Sequence, residues 1–330
     1  MSSSDNRKTS FLKSFSKLSL FSQAAGLTTI TSLNFLEVTK IRLITDVNKC
    51  MPVHYNQKTT FSMLKKYMKG KTIPDVAKAC TDCLPFRNSF LSMHHILKSE
   101  GAKVFFFSGV NKTMISYALK VGLYFPTFEF VKARSKHLFN ESNRELRSSQ
   151  MGSVCSRSFV SIISFPFEVA KVVSQGKVQE SQKKRIWYNI KDIAVNPKKY
   201  DRIFLNYFLR ELGFSLTFWT ILEMTKGHLS KYHSDVFDTE FKRKVASAGV
   251  GGFFGALMTF PFDVIQTNKL LHKFPENMGI IDMLKFLKAK HGWGFFKNGL
   301  FVRVFKGSIT TCMFFTLYEN FKIMGDTKEF

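Results

Sequence analysis

No run of 20 uninterrupted apolar residues occurs in this 330-residue chain, although 45% of it is hydrophobic. That argues against a simple membrane anchor, which needs about 20 such residues in a row. It leaves open a bundle whose inner faces line a wet cavity, where polar side chains are tolerated. Cysteine is sparse. The five present, an odd number at irregular spacing, do not form a disulfide framework. Acid is sparse too: 24 Asp and Glu face 49 Lys and Arg, a net charge of +25. No DNA- or RNA-binding motif accompanies that charge, and the lysines do not gather on one helix, so nucleic acid is not an expected partner. Attraction to an anionic lipid surface fits the charge better. No nucleophile–base pair and no phosphate loop is found, so the protein is not expected to be an enzyme. No convincing secretory signal opens the chain. Residues 1–20 are basic, serine-rich and nearly free of acid, which is compatible with a transit peptide.

What the chain does have is repetition. Phe165-Pro166-Phe167-Glu168-Val169-Ala170-Lys171 returns as Phe260-Pro261-Phe262-Asp263-Val264-Ile265-Gln266. A weaker copy, Phe35-Leu36-Glu37-Val38-Thr39-Lys40, lies near the start. Each closes a long segment with small residues in it. In a helix the acid and the base, three apart, share a face, and a proline removes a hydrogen bond and kinks the helix. A second motif alternates with the first: Phe128-Glu129-Phe130-Val131-Lys132, Leu222-Glu223-Met224-Thr225-Lys226 and Tyr318-Glu319-Asn320-Phe321-Lys322. Glu129, Glu223 and Glu319 are 94 and 96 residues apart, and Glu168 and Asp263 are 95 apart. A period near 95 with two helices per unit means three repeats.

These interleaved motifs resemble the mitochondrial carrier family, and the resemblance covers nearly the whole chain. It implies an all-α membrane protein: six transmembrane helices in three pseudo-threefold repeats, with short matrix-side helices, in the mitochondrial inner membrane. Repeat one would span 16–138, repeat two 149–232 and repeat three 241–325, preceded by a retained basic arm over 1–15. The resemblance also implies two rings of ion pairs. The matrix gate would pair Glu37 with Lys171, Glu168 with Gln266 and Asp263 with Lys40. Gln175 would brace it, while Ile44 and Leu270 fill the other two brace places and cannot serve. The cytoplasmic gate would pair Glu129 with Lys226, Glu223 with Lys322 and Glu319 with Lys132, braced by Tyr318. In the family, acid-Gly and aromatic-basic-Gly junctions present helix N-termini to cardiolipin phosphates, and helix N-termini do bind anions. Gly101 with Gly109 and Gly292 with Gly299 match two of the three junctions. Bound cardiolipin is expected, and no cofactor.

The substrate site is expected thirteen residues before each cytoplasmic acid, at Ser116, Arg210 and Lys306. Glu211 follows Arg210, and Arg303 lies one turn before Lys306. In carriers an Arg–acid pair at the second of these positions accompanies amino acid substrates. Arg can clasp a carboxylate and Glu an ammonium group. The bland alternative is that Arg210 and Glu211 only neutralise each other.

Several features depart from the family pattern. Phe35 stands where the first proline belongs, so that bend is expected to be softer or made without proline. Glu37 and Glu129 are 92 residues apart, against 55 and 56 for the matching pairs, which places an insertion at about 46–86 in a matrix-facing loop. Cys50, His54, Cys80 and Cys83 in that loop form Cys-x3-His and Cys-x2-Cys arms that suit zinc. A single Cys-x-x-Cys is a weak signal, and the expectation is a reduced loop without metal. Cys155 and Cys312 are expected as small core residues. Two functions stay open. The expectation is a carrier for a small carboxylated solute, amino acid-like, working by alternating access. The alternative is a carrier-derived accessory subunit of a respiratory or other inner-membrane complex, docked through the 46–86 insertion.

Overall fold

A computed structural model describes residues 2–46, 97–98, 106, 110–139, 143–175, 191, 193, 195, 197–233, 236–270, 279, 281–282, 284–285 and 299–324. Among them the fold is all-α. The long elements are α1 (Ser2–Ser32), α2 (Asn34–Asp46), α3 (Val110–Ser135), α4 (Arg144–Gln175), α5 (Pro197–Tyr232), α6 (Glu240–Leu270) and α7 (Leu300–Met324). A 3-10 turn, Lys136–Leu138, follows α3. The insertion from 47 onward, Cys50, His54, Cys80, Cys83, Gly101, Gly109, Gly292 and the side chains of Ile44 and Gln175 lie outside the described residues.

The helices form a closed ring in chain order. α1 packs on α3, α3 on α4, α4 on α5, α5 on α6 and α6 on α7, and α7 returns to α1. α2 turns inward and touches α4, α6 and α7. The shortest of the outer helices, α7, has 25 residues, about 37 Å at 1.5 Å per residue. Two described helices, α6 and α7, are long and apolar enough to cross a membrane by composition.

Small residues set how closely the helices approach. α4 buries Ser149, Ser153, Ser156, Val160 and Ser164, a three-and-four spacing that keeps one face inward. Ser164 shares a hydrogen bond with Tyr207 of α5 at 2.8 Å. Gly251 and Gly255 of α6 lie against Phe218 and Phe214 of α5. Gly252 meets the backbone of Gly307 on α7. Thr311 of α7 donates to the Ala248 carbonyl of α6 at 2.8 Å. Cys155, by contrast, is exposed and Cys312 half-buried, so neither is a core residue. α4's buried face is served by its serines.

The first helix starts at Ser2, so the expected arm over 1–15 is largely helical. Residues 2–15 contain no proline or glycine to stop it. The break without proline falls at Leu33, between α1 and α2. Just before it, the hydroxyls of Thr28, Thr29, Thr31 and Ser32 each bond a carbonyl three or four residues back. Such back-bonding bends helices. Leu36 N–H then donates to the Leu33 carbonyl at 3.1 Å, a tightened turn. α4 and α6 run on through Pro166 and Pro261, and α3 contains a further proline, Pro126.

A buried ion cluster beneath an aromatic layer

The Leu33 break aims α2 into the ring, and this places Glu37 and Lys40 in the interior. Glu37, Glu168 and Asp263, one from each copy of the first motif, are each at most 2% exposed. Lys40 donates to Glu37 at 3.2 Å and to Asp263 at 3.0 Å. Lys171 lies 2.9 Å from Glu168 and 3.4 Å from Glu37. Two of the three expected matrix-gate pairs, Glu37 with Lys171 and Asp263 with Lys40, are therefore brought together. Glu168 and Gln266 are not: both amide atoms of Gln266 are buried without a hydrogen-bond partner. Glu168 instead has Lys120 at 2.8 Å and Arg210 at 3.4 Å. Full charges outcompete a neutral amide for that carboxylate.

The expected central residues join this same cluster. Arg210 of α5 donates to Asp263 at 2.8 Å, to Glu211 at 2.6 Å and to Glu168 at 3.4 Å. Arg303 lies 3.4 Å from Asp263, and Lys306 bonds Glu37. Ser116 donates to Glu168 at 3.4 Å. Two further cations were not singled out in the sequence. Lys120 of α3 contacts Glu168 and, at 3.6 Å, Glu211. Arg157 of α4 donates to Glu211 at 3.1 Å. Signals for both exist. Lys120 sits one turn after Ser116, and Arg157 lies eleven residues, about three turns, before Glu168. Each of the four acids thus has three cationic partners. Seven cations against four acids leave an excess of three positive charges.

Above the ions lies a layer of rings from α3, α5 and α7. Phe128 stacks on Trp219 at 4.0 Å, Phe125 on Phe314 at 4.7 Å, and Phe218 meets Phe315 at 5.8 Å. Trp219 donates through its indole N–H to the Tyr124 hydroxyl at 2.6 Å, which also bonds Ser215 at 2.9 Å. The Arg157 guanidinium sits 4.0 Å from the centre of the Tyr124 ring, within cation–π range. Between ions and rings is a cavity of about 200 Å³. Lys40, Lys171 and Lys306 lie along its charged side, and Phe125, Trp219 and Phe315 along the other.

The comparisons agree with this architecture. Residues 238–328 match the family described as mitochondrial carrier protein. The mitochondrial glutathione transporter SLC25A40 of Rattus norvegicus is 24% identical over 236 residues, 68% of each chain. That of Bos taurus is 25% identical over 245 residues, 71% of each chain. An uncharacterized mitochondrial carrier of Caenorhabditis elegans, C16C10.1, is 21% identical over 259 residues, 72% of this chain and 69% of its own. Over these residues the chain is similar to mitochondrial carriers.

In this chain the second motif does not make its expected pairs. Lys132 bonds Glu223 at 3.1 Å and Glu145 at 3.2 Å rather than Glu319. Glu223 also accepts from Ser149 at 2.8 Å and does not meet Lys322. Lys226 turns to Glu240 at 3.2 Å rather than to Glu129, and Glu319 takes Lys244 at 3.1 Å. The rings explain the separation. Phe128, Leu222 and Tyr318 directly precede the three acids, are buried in one aromatic cluster and fill the space between the helix ends. Of the four junction glycines, Gly299 is described. Its φ of 83° suits glycine, and its carbonyl accepts the first bond of α7, from Arg303 N–H at 2.9 Å.

Proposed function

We propose that this carrier spans the mitochondrial inner membrane with six helices in three repeats and moves a small carboxylated solute by alternating access. One observation carries the reading: seven cations and three acids, all buried or mostly so, line a cavity inside a closed helical ring, with the buried Asp263 bonded behind them. Charge buried at membrane depth is expensive and marks a solute path by default. The ion cluster seals one end of the cavity, and the second-motif residues stand apart at the other. This suits one state of a two-state device whose gates form in turn. The similarity to proteins named glutathione transporters supports a carboxylated solute. For the amino acid-like solute expected from Arg210 and Glu211, Glu211 would have to receive an ammonium group. It already has three cationic partners, so the reading rests on the carboxylate alone.

The test is uptake of labelled carboxylates into liposomes holding the purified protein. Uptake is expected, and Arg210→Ala is expected to lower it by at least about tenfold, since a lost bond to a charged group costs about 1.5–3 kcal/mol. Unchanged uptake by Arg210→Ala would remove Arg210 from the solute site.

A further inference from the structure

Glu211 differs from the other three acids of the cluster. It belongs to neither repeated motif. Its side chain keeps 14% of its surface exposed, against 3% for Glu37, 3% for Glu168 and 1% for Asp263. It lines the cavity. Around it stand Arg210 at 2.6 Å, Arg157 at 3.1 Å and Lys120 at 3.6 Å. We propose that the three cations around Glu211 are the seat of a solute carboxylate, held in this state by Glu211 itself, and that the carrier takes a di- or tricarboxylate bearing no ammonium group.

The charges argue for this class. An ammonium group arriving at Glu211 gains one attraction and meets three repulsions at similar range. A carboxylate reverses all four signs. Across the cluster the excess is three positive charges, and no further acid lines the cavity among the described residues. A solute with several negative charges neutralises that excess, whereas a zwitterion leaves most of it. The seat also has rigid walls. Arg157 is fixed over the Tyr124 ring, and Arg210 is tied to Asp263 and Glu168.

Unused polar atoms point the same way. The Nε of Arg157 and the hydroxyl of Thr310 are buried with no hydrogen-bond partner, and both residues line the cavity. Arg157 Nε can only donate. An acceptor-rich solute would satisfy it, and an ammonium group would not. Glu211, the most exposed acid, is the one that can yield its place.

This inference rests on the carrier reading, and the experiment separates the two. Purified full-length protein is screened by thermal shift, and in liposomes by competition for uptake, with glutamate, glutarate and tricarballylate. Glutarate is glutamate without its ammonium group, and tricarballylate adds a third carboxylate. Glutarate and tricarballylate are expected to compete at least about tenfold better than glutamate, a difference of about 1.4 kcal/mol. Glutamate competing as well or better overturns the inference and leaves the carrier reading standing. If no carboxylate of either kind stabilises the protein or enters the liposomes, both fail. Glu211→Gln is expected to strengthen glutarate competition several-fold by removing the rival carboxylate. Weaker glutarate competition by a folded Glu211→Gln protein also overturns the seat.

Discussion

Lys40 of α2 donates to Asp263 of α6 at 3.0 Å, joining residues 223 apart in the chain. Both are almost wholly buried, so water screens the pair little. Breaking a buried pair by removing one partner costs about 3–5 kcal/mol. The two single changes should not be equal. Asp263→Ala raises the cationic excess of the cluster, and it also takes a carboxylate partner from Arg210 and from Arg303. Lys40→Ala lowers the excess and leaves Asp263 two cations. Thermal unfolding in detergent should therefore show the larger loss for Asp263→Ala. The double variant should lose less than the sum of the singles by about 0.5–3 kcal/mol. Equal losses and simple additivity would remove the pair as a coupled unit.

Arg210 reaches three carboxylates from three directions, on Asp263, Glu168 and Glu211. A lysine keeps the charge and loses the planar fork. Arg210→Lys is expected to keep the fold and to lower carboxylate uptake by about tenfold or more, the equivalent of about 1.4 kcal/mol. Uptake at the parent level would mean that charge alone, not the fork, does the work.

Gln266 gives the opposite expectation. The family resemblance places its neutral amide where a cation belongs, donating to Glu168. The structure gives Glu168 three true cations and leaves both Gln266 amide atoms buried and unpaired. An unsatisfied buried group costs about 1–3 kcal/mol. Gln266→Leu should then be neutral or stabilising on thermal unfolding. A loss beyond about 1 kcal/mol would show that the amide has work to do in another state.

Much of this arrangement was legible in the sequence, for a physical reason. The 95-residue period picks out equivalent residues, and equivalent residues of a sequence repeat come to matching places in a ring of helices. Glu168 and Asp263 follow from it, as do Arg210 and Lys306, whereas Glu37, 131 residues before Glu168, follows from the weaker copy of the motif. Lys120 and Arg157 did not emerge, because neither belongs to a repeated motif and their inward facing depends on helix rotation. The aromatic layer was hidden by abundance. Among 37 phenylalanines, nothing in the sequence distinguishes those on the axis from those facing outward. The second-motif pairs show another limit. The sequence supplies partners for both rings of ion pairs, and the structure brings together expected pairs of the first motif and not of the second.

The aromatic layer should act as a barrier as well as a packing core. Trp219 is 6% exposed, stacks on Phe128 at 4.0 Å and donates to Tyr124 at 2.6 Å. Trp219→Ala removes a ring from the axis and leaves the Tyr124 hydroxyl short of a donor. The cost is expected at about 3–5 kcal/mol. Trp219→Phe keeps the stack and loses only the hydrogen bond, about 1 kcal/mol. Liposomes carrying a folded Trp219→Ala protein should leak small anions faster than those carrying Trp219→Phe. Equal leak rates would mean that the layer does not seal the cavity.

The last prediction concerns the approach of α6 to α7. A Cβ at Gly252 would lie 2.7 Å from the Gly307 carbonyl oxygen and 2.3 Å from the Thr311 hydroxyl. A Cβ at Gly307 would lie 2.9 Å from the Gly252 carbonyl oxygen. The hydroxyl can rotate away, but the backbone carbonyl cannot. Gly252→Ala must therefore push the helices apart and strain the Thr311 bond to Ala248. Overpacking of this kind costs about 1–3 kcal/mol. Gly227 provides the control, since nothing lies within 4 Å of a Cβ built there. Gly227→Ala should gain about 0.5–1 kcal/mol from helix propensity alone. The same glycine-to-alanine change, on two helices of one ring, should thus move the unfolding temperature in opposite directions. If both rise, the α6–α7 contact is looser than the structure has it, and small residues at this crossing do not set the width of the ring.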